Sequence, residues 1–94
     1  MVKEKIKLVS GEEKEVEIKD RLSIKDVHII MNKTIKINTK GSDINTDIDF
    51  IGLVIETLKI AITGVNVEEI EYNSAIQIFN KHFAKYFTAL QKKN

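Results

Sequence analysis

The chain has 94 residues, which allows one domain with a single modest core and excludes two. Its apolar fraction of 43% and charged fraction of 31% are those of a folded globular protein and exclude a disordered chain. Fifteen basic and fourteen acidic side chains give a formal charge of +1, so no long-range field selects nucleic acid, an anionic membrane or an acidic ligand.

The first predicted element is a β-hairpin over residues 2–19. Apolar and charged residues alternate in its two halves, and the residues between the halves have the composition of a turn. We expect Leu8 to pair with Val16 across a loop formed by residues 11–13. A shift of this register by one residue would place apolar side chains opposite charged ones on every rung.

A helix is predicted over residues 24–33. Ser23 is a favourable N-cap, and Asp26 completes a capping box with it. Leu22 and Val27 occupy the positions of a hydrophobic staple. We expect this helix to cover the apolar face of the hairpin, because an isolated hairpin is only marginally stable in water.

Residues 34–46 are predicted to form a polar loop or a short strand. Ile35 and Ile37 alternate with polar residues, which permits a third strand. Residues 38–43, in contrast, have the composition of a loop. The segment separates the hairpin and the first helix from a more apolar half of the chain.

A long helix is predicted over residues 47–63, capped by Thr46 or Asp47 and ended by Gly64. Its polar positions form one narrow stripe, and they are Asp49, Gly52, Glu56, Lys59 and Thr63. A helix with so narrow a polar face is either central to the core or partly covered by a partner. A glycine inside a helix costs about 1 kcal/mol relative to alanine. At Gly52 we therefore expect the close approach of another element, from this chain or from a partner.

The last predicted helix covers residues 75–92 and begins with a capping box of Ser74 and Gln77. Its aromatic residues have the spacing of a buried stripe, and they are Phe79, Phe83, Tyr86 and Phe87. Residues 66–70 are expected to form one helical turn before it. The predicted fold class is α+β, in a single domain over 1–94. An N-terminal β-hairpin, with or without a third short strand, packs on three α-helices, and the C-terminal half is mainly helical.

Residues that could catalyse a reaction or bind a metal lack the neighbouring residues that such a site requires. We therefore expect a non-enzymatic protein without cofactor. His28 and His82 lie in predicted helices without a second histidine, or a carboxylate at i+3 or i+4, on the same face. The absence of cysteine excludes disulfides and cysteine-ligated zinc, and the glycines are too scattered for a phosphate loop. Residues 43–47 begin like a calcium-binding loop, but Ile48 and Val54 stand where glycine and glutamate are required.

The order and patterning of these elements resemble the small tail assembly chaperones of long-tailed phages and prophages. The features that carry the resemblance are the hairpin 2–19, the helix begun by Leu22-Ser23-Ile24-Lys25-Asp26, the apolar helix 48–62, the segment 64–70 and the helix 75–90. The resemblance implies a protein that binds the tape-measure protein and the tail tube protein during assembly. It also implies a homo-oligomer in the host cytoplasm that is absent from the finished virion and has no catalytic residue.

The predicted contact surface is the part of 48–62 that the core does not use, together with the exposed edge of the final helix. The candidate protein-binding residues are Ile48, Ile51, Leu53, Val54, Ile55, Leu58 and Ile60. We expect no membrane contact, because this stretch contains charged residues and is shorter than the roughly 20 residues that span a bilayer. The first residues are charged and unlike a signal peptide, so a soluble cytoplasmic protein is expected.

Two other functions stay open. A small regulatory or nucleic-acid-binding module would use the basic edge of the final helix, which carries Lys81, Lys85, Lys92 and Lys93. Nucleic acid is the less favoured partner, because Arg21 is the only arginine and such proteins usually add arginine clusters or exposed aromatics. A structural head–tail connector, unlike a chaperone, would remain in the virion.

Overall fold

The structure, a computed structural model, describes residues 1–40 and 43–91, and the side chains of 35–48 and 89–91 lie outside that description. The elements in chain order are β1 (Val2–Lys7), β2 (Glu13–Ile18), α1 (Ile24–Thr34), β3 (Ile35–Lys40), β4 (Asp43–Ile48), α2 (Phe50–Ala61), a 3-10 turn (Val67–Glu69), α3 (Tyr72–His82) and α4 (Ala84–Gln91). An N-terminal antiparallel hairpin is followed by helices, and the C-terminal half is helical. The predicted α+β class is therefore confirmed.

The register of the first hairpin differs from the predicted one. Val2 lies opposite Ile18 and Leu8 lies beyond the strand, so the predicted pairing of Leu8 with Val16 is wrong. The shift is an even number of residues, and each side chain therefore stays on its predicted face. On the exposed face, three successive rungs oppose lysine and glutamate, and these pairs are Lys3–Glu17, Lys5–Glu15 and Lys7–Glu13. Opposite charges across a rung contribute about 0.2–1 kcal/mol each, which favours the observed register.

The loop of this hairpin consists of residues 9–11 rather than 11–13. The Gly11 N–H donates to the Leu8 carbonyl at 2.9 Å, and the Leu8 N–H donates to the Glu12 carbonyl at 2.8 Å. Gly11 has a φ of +93°, a conformation that a three-residue hairpin loop requires at its last position and that glycine adopts without strain. The loop therefore forms where Gly11 can occupy its last position.

Both edges of the hairpin are paired with segments from the C-terminal half. Ile18 forms an antiparallel bridge with Ile62 at one edge, and Leu8 forms one with Ile70 at the other. Backbone hydrogen bonds of 2.8 and 2.9 Å flank the second bridge. These bridges hold the apolar face of the hairpin against the helices and cover part of each strand edge.

α1 begins with the predicted capping box. The Asp26 N–H donates to Ser23 Oγ, and the Ser23 N–H donates to the Asp26 carboxylate, both at 3.0 Å. The same carboxylate accepts a hydrogen bond from Lys19 Nζ at 2.7 Å. The Lys19 ammonium, followed by the Ser23 N–H, holds the pKa of Asp26 below its ordinary value of 3.8.

This pKa shift makes stability dependent on pH. We expect Asp26→Asn to lower the free energy of unfolding at neutral pH by about 1 kcal/mol, because it weakens the charge-assisted hydrogen bonds from Lys19 and from the Ser23 N–H. Because the folded-state pKa is depressed, the carboxylate stabilises fully above 3.8 and loses its effect as the pH falls through the lower, folded value. Urea unfolding of both proteins at neutral pH and below 3.8 should therefore show a difference that shrinks with acidity. A constant difference would contradict the prediction.

The middle segment contains a second hairpin. β3 confirms the optional third strand, but β4 was not predicted, and it pairs antiparallel to β3 with Ile35 opposite Ile48. The Asp49 N–H continues this ladder by donating to the Thr34 carbonyl at 3.0 Å. Ile48 therefore belongs to a strand, and its assignment to the following helix is wrong. Residues 41–42 of the predicted loop lie outside the described residues.

α2 is shorter at both ends than the predicted helix 47–63. Its N-cap is Asp49 rather than Thr46 or Asp47, since the Asp49 carboxylate accepts from the Gly52 N–H at 2.9 Å. A Cβ at Gly52 would lie 2.5 Å from the other Asp49 carboxylate oxygen. The close approach expected at this glycine thus comes from the helix's own cap, not from another element or a partner.

α2 ends at Ala61 because the next residue leaves the helix for the hairpin. Ile62 has extended backbone angles, φ −114° and ψ 129°, and forms the bridge with Ile18. Gly64, predicted as the residue that ends the helix, lies further on with a φ of +89°. It turns the chain toward the 3-10 turn, which forms where a helical turn was predicted.

The predicted C-terminal helix is observed as two, α3 and α4. α3 begins at Tyr72, and Ser74 is not its cap, because Ser74 Oγ accepts a hydrogen bond from the Lys7 N–H at 3.1 Å. The chain bends between the helices, and the rings of Phe79 and Phe87 stack with centroids 6.0 Å apart. In a straight helix these residues would be about 12 Å apart along the axis, so the bend permits the stack. Residue 92, the predicted end, lies outside the described residues.

The centre of the core contains a buried polar group. Thr57 on α2 is fully buried, and its Oγ1 has no hydrogen-bond partner among the atoms that the structure describes. Thr34 is also buried, but its Oγ1 donates to the Ile30 carbonyl at 2.9 Å. The two threonines therefore have the same size and burial and differ in hydrogen bonding.

We expect Thr57→Val to raise the free energy of unfolding by about 1 kcal/mol, because it removes an unsatisfied buried hydroxyl without changing the shape of the side chain. Thr34→Val is the matched control and should lower it by a similar amount, since it removes a satisfied hydrogen bond. Chemical denaturation of the three proteins measures both changes. Two changes of the same sign would contradict the prediction.

Candidate protein-binding groove

The predicted binding residues of α2 separate into buried and accessible groups. Leu53, Val54 and Leu58 are almost fully buried and form part of the core, and Ile60 is partly buried against it. Ile51 is 45% exposed, and Ile55 is partly buried. The core therefore uses more of this helix than its narrow polar stripe indicated. Leu53 is not available to a partner in the folded protein.

Four of the predicted residues nevertheless meet at one surface feature. An apolar groove of about 330 Å³ lies between α2 and α3, with the 3-10 turn and the tip of the first hairpin beside it. The α2 residues that line it are Ile51, Val54, Ile55 and Leu58. The other lining residues are Val9, Val67, Glu68, Ile70, Tyr72, Ala75 and Ile76. Residues far apart in sequence thus build one concave surface.

Helical spacing explains how α2 contributes to the groove. Its four lining residues occupy positions i, i+3, i+4 and i+7 of the helix, so they share one face. Val54 and Leu58 are buried and form the floor, whereas Ile51 and Ile55 form a wall. Tyr72 on the facing helix α3 contributes to the opposite wall.

Exposed apolar side chains mark the rim. Val9 at the hairpin tip is 72% exposed, and Tyr72 at the start of α3 is 61% exposed. The sequence interpretation missed both residues. Val9 carried a signal, because it breaks the alternation of charged and apolar residues at the turn. Tyr72 carried none, because its exposure depends on where α3 begins.

A polar cluster lies away from the groove, between β1 and α3. Glu4 is on the apolar face of the hairpin, and its Oε2 is 2.7 Å from Lys81 Nζ and 2.6 Å from His82 Nε2. The Lys81 hydrogen bond, followed by that of His82, holds the pKa of Glu4 below its ordinary value of 4.5. The carboxylate partner of His82 is thus 78 residues away in sequence. A search at i+3 and i+4 could not find it.

The basic edge of the final helix is partly engaged within the protein. Lys81 contacts Glu4, and Lys85 Nζ lies 5.4 Å from the centroid of the Tyr86 ring. Lys92 and Lys93 lie outside the described residues. Across the part of the chain that the structure describes, no cluster of three His, Cys, Asp or Glu side chains is placed to hold a metal ion. Over the same residues, no helix is both long and apolar enough to cross a membrane.

Comparisons with protein-family models, with curated proteins and with solved structures found no match. No site residue can therefore be transferred to this chain from a relative.

Proposed function

We propose that this protein is a non-enzymatic protein-binding factor that takes up an apolar segment of another chain in the groove between α2 and α3. The observation that carries the proposal is the concave apolar lining together with its exposed rim residues, Val9, Ile51 and Tyr72. Concave apolar surfaces of this kind receive the apolar face of a helix or another apolar side-chain cluster.

The proposed client is the tape-measure protein of a long-tailed phage, with the tail tube protein as a second partner. Support comes from the order of elements, a hairpin followed by helices, which resembles that of tail assembly chaperones. A tape-measure protein is a long helical chain, and a groove for apolar side chains would shield it from premature association. Several copies, or a homo-oligomer, would cover such a client along its length.

Co-expression with the tape-measure protein of the same genome tests the proposal. We expect the two proteins to co-purify, and we expect Ile51→Asp to abolish co-purification. Ile24→Asp is a matched control, because Ile24 is 91% exposed near the start of α1, outside the groove. It should leave binding unchanged. Co-purification that survives Ile51→Asp, or none with the unaltered protein, would overturn the proposal.

The two other functions predict different results in simple assays. A nucleic-acid-binding module would be retained on DNA with an affinity that falls steeply with salt concentration. A head–tail connector would be present in purified particles. For the proposed chaperone, we expect neither DNA retention at moderate salt nor presence in the finished particle.

A further inference from the structure

The second hairpin, formed by β3 and β4, is an arm that extends from the body of the protein. Its extensive packing is limited to the two strands themselves and to the junction of β3 with α1. The molecule measures 50 × 26 × 21 Å, and its radius of gyration of 14.7 Å exceeds the roughly 12 Å expected for a compact domain of this length. A projecting arm produces such an elongation. Because a two-stranded hairpin alone is only marginally stable in water, the arm requires a cover or further strands.

The register of the arm separates its residues into two faces, since successive residues of a strand lie on opposite faces of a sheet. One face carries only isoleucine and threonine, in the rungs Ile35–Ile48, Ile37–Thr46 and Thr39–Ile44. The other face carries only polar and charged residues, in the rungs Lys36–Asp47, Asn38–Asn45 and Lys40–Asp43. Two lysines and two aspartates give this second face a formal charge of zero, so the arms of two copies do not repel each other.

The outer edge of β3 has backbone groups available to another strand. The Asp49 N–H donates to the Thr34 carbonyl, which makes these two residues a hydrogen-bonded rung of the ladder. Hydrogen-bonded rungs alternate in an antiparallel pair, so the N–H and carbonyl groups of Ile37 and Thr39 point away from β4. Within the described residues, no backbone hydrogen bond from another segment reaches Ile37 or Thr39. The edge is therefore an open template for strand pairing.

We propose that two copies of this chain pair through the outer edges of their β3 strands, antiparallel and centred on Ile37. The pairing joins the two arms into a four-stranded sheet in the order β4–β3–β3–β4, with the isoleucine and threonine faces on the same side. Such a sheet has the number of strands that a stable sheet with one apolar face requires. The contact is isologous and closes as a dimer. The inference goes beyond the proposed function, since this dimer does not depend on a client in the groove.

Charge selects the register of this pairing. Centred on Ile37, it sets Lys36 of one copy opposite Asn38 of the second copy. It also sets Lys40 opposite Thr34, so no like charges are directly opposed. A pairing centred on Asn38 would instead set Lys36 opposite Lys40, and like charges on one rung are destabilising.

Charge also selects β3 over β4 as the shared edge. Two symmetric registers would align β4 of one copy with the whole of β4 of the second. One of them sets Asp43 opposite Asp47, and the other sets Asp43 opposite Asp49. Both registers oppose aspartate with aspartate, which disfavours a dimer through β4.

Proline substitutions at the two outer edges test the inference. We expect sedimentation equilibrium of the unaltered protein to show a concentration-dependent dimer of twice the 10.8 kDa monomer mass. Ile37→Pro removes the N–H at the centre of the proposed contact but no hydrogen bond between β3 and β4, so it should leave a monomer at every concentration. Thr46→Pro is the matched control, because Thr46 lies opposite Ile37 and its N–H points to the outer edge of β4. It should leave the dimer intact.

Cysteine substitutions at the same two positions give a second measurement, in a chain that has no cysteine of its own. Directly opposed residues of a hydrogen-bonded rung have Cα atoms about 5.5 Å apart, a distance that a disulfide spans. We therefore expect mild oxidation of Ile37→Cys to give a disulfide-linked dimer on a non-reducing gel. Thr46→Cys should stay monomeric, because three strand spacings, about 14 Å, separate the two cysteines in the proposed sheet.

Three outcomes would each overturn the inference: an unaltered protein that is monomeric at every concentration, a dimer that survives Ile37→Pro, and equal cross-linking of the two cysteine variants. If circular dichroism shows that Ile37→Pro does not fold, the pair of cysteine variants decides. None of these measurements includes a client. Their failure is therefore distinguishable from a failure of the proposed function, which is judged by co-purification with the tape-measure protein.

Discussion

Replacement of Phe79 by alanine is expected to lower the free energy of unfolding by about 3–5 kcal/mol. Phe79 is fully buried, and its ring stacks on Phe87 and meets Phe50 edge-on with centroids 5.8 Å apart. The substitution removes both aromatic contacts and leaves a cavity where the hairpin and helices share one core. Small domains have a total stability of about 5–15 kcal/mol, so this single change removes a large part of it.

The matched control for this prediction is the same substitution at Phe50. Phe50 touches the same cluster from its edge and is 38% exposed. Its removal leaves a smaller cavity that water can fill, so we expect a loss of about 1 kcal/mol. Urea unfolding followed by circular dichroism measures both variants. Losses of equal size would show that Phe79 is not the centre of the core.

The sequence correctly predicted the elements whose signals lie within a few neighbouring residues. The capping box of Ser23 and Asp26 fixed the start of α1, because both of its hydrogen bonds lie within four residues. The alternation of Ile35 and Ile37 indicated a third strand in the same way. The spacing of Phe79, Phe83 and Phe87 indicated a buried stripe, and all three are fully buried.

The elements that sequence reasoning placed wrongly depend on distant partners. The alternation in the first hairpin gives the face of each side chain but cannot exclude a shift by an even number of residues. The observed register is supported by three charge pairs and by Gly11, which can take the positive φ of the turn. α2 likewise ends early because Ile62 pairs with Ile18, a contact between residues 44 positions apart.

Only the α2 side of the groove could be predicted from the sequence, because the other side depends on tertiary packing. Periodicity shows that Ile51, Val54, Ile55 and Leu58 share a face of α2, but it does not show how much of that face the rest of the chain covers. The structure places Val54 and Leu58 at the buried floor and leaves Ile51 accessible. The opposing wall comes from α3, whose position relative to α2 is set by tertiary packing.

Substitution by aspartate is expected to unfold the protein at Leu53 but not at Ile51, although the two residues are only two positions apart on α2. Leu53 is 1% exposed and surrounded by the core. Leu53→Asp removes a large apolar side chain and buries a carboxyl group without a partner, a combined cost comparable with the roughly 5–15 kcal/mol by which a small domain is stable. We therefore expect Leu53→Asp to abolish the folded state, seen as the loss of cooperative thermal unfolding.

Ile51→Asp should remain folded, with a free energy of unfolding within about 1 kcal/mol of the unaltered protein. Ile51 is 45% exposed and is the second residue of α2, so the new carboxylate lies near the positive end of the helix dipole. Because the variant folds, its loss of client binding can be attributed to the groove rather than to unfolding. If Ile51→Asp also unfolded, Ile51 would belong to the core, and the groove would not be a surface that a partner helix can enter.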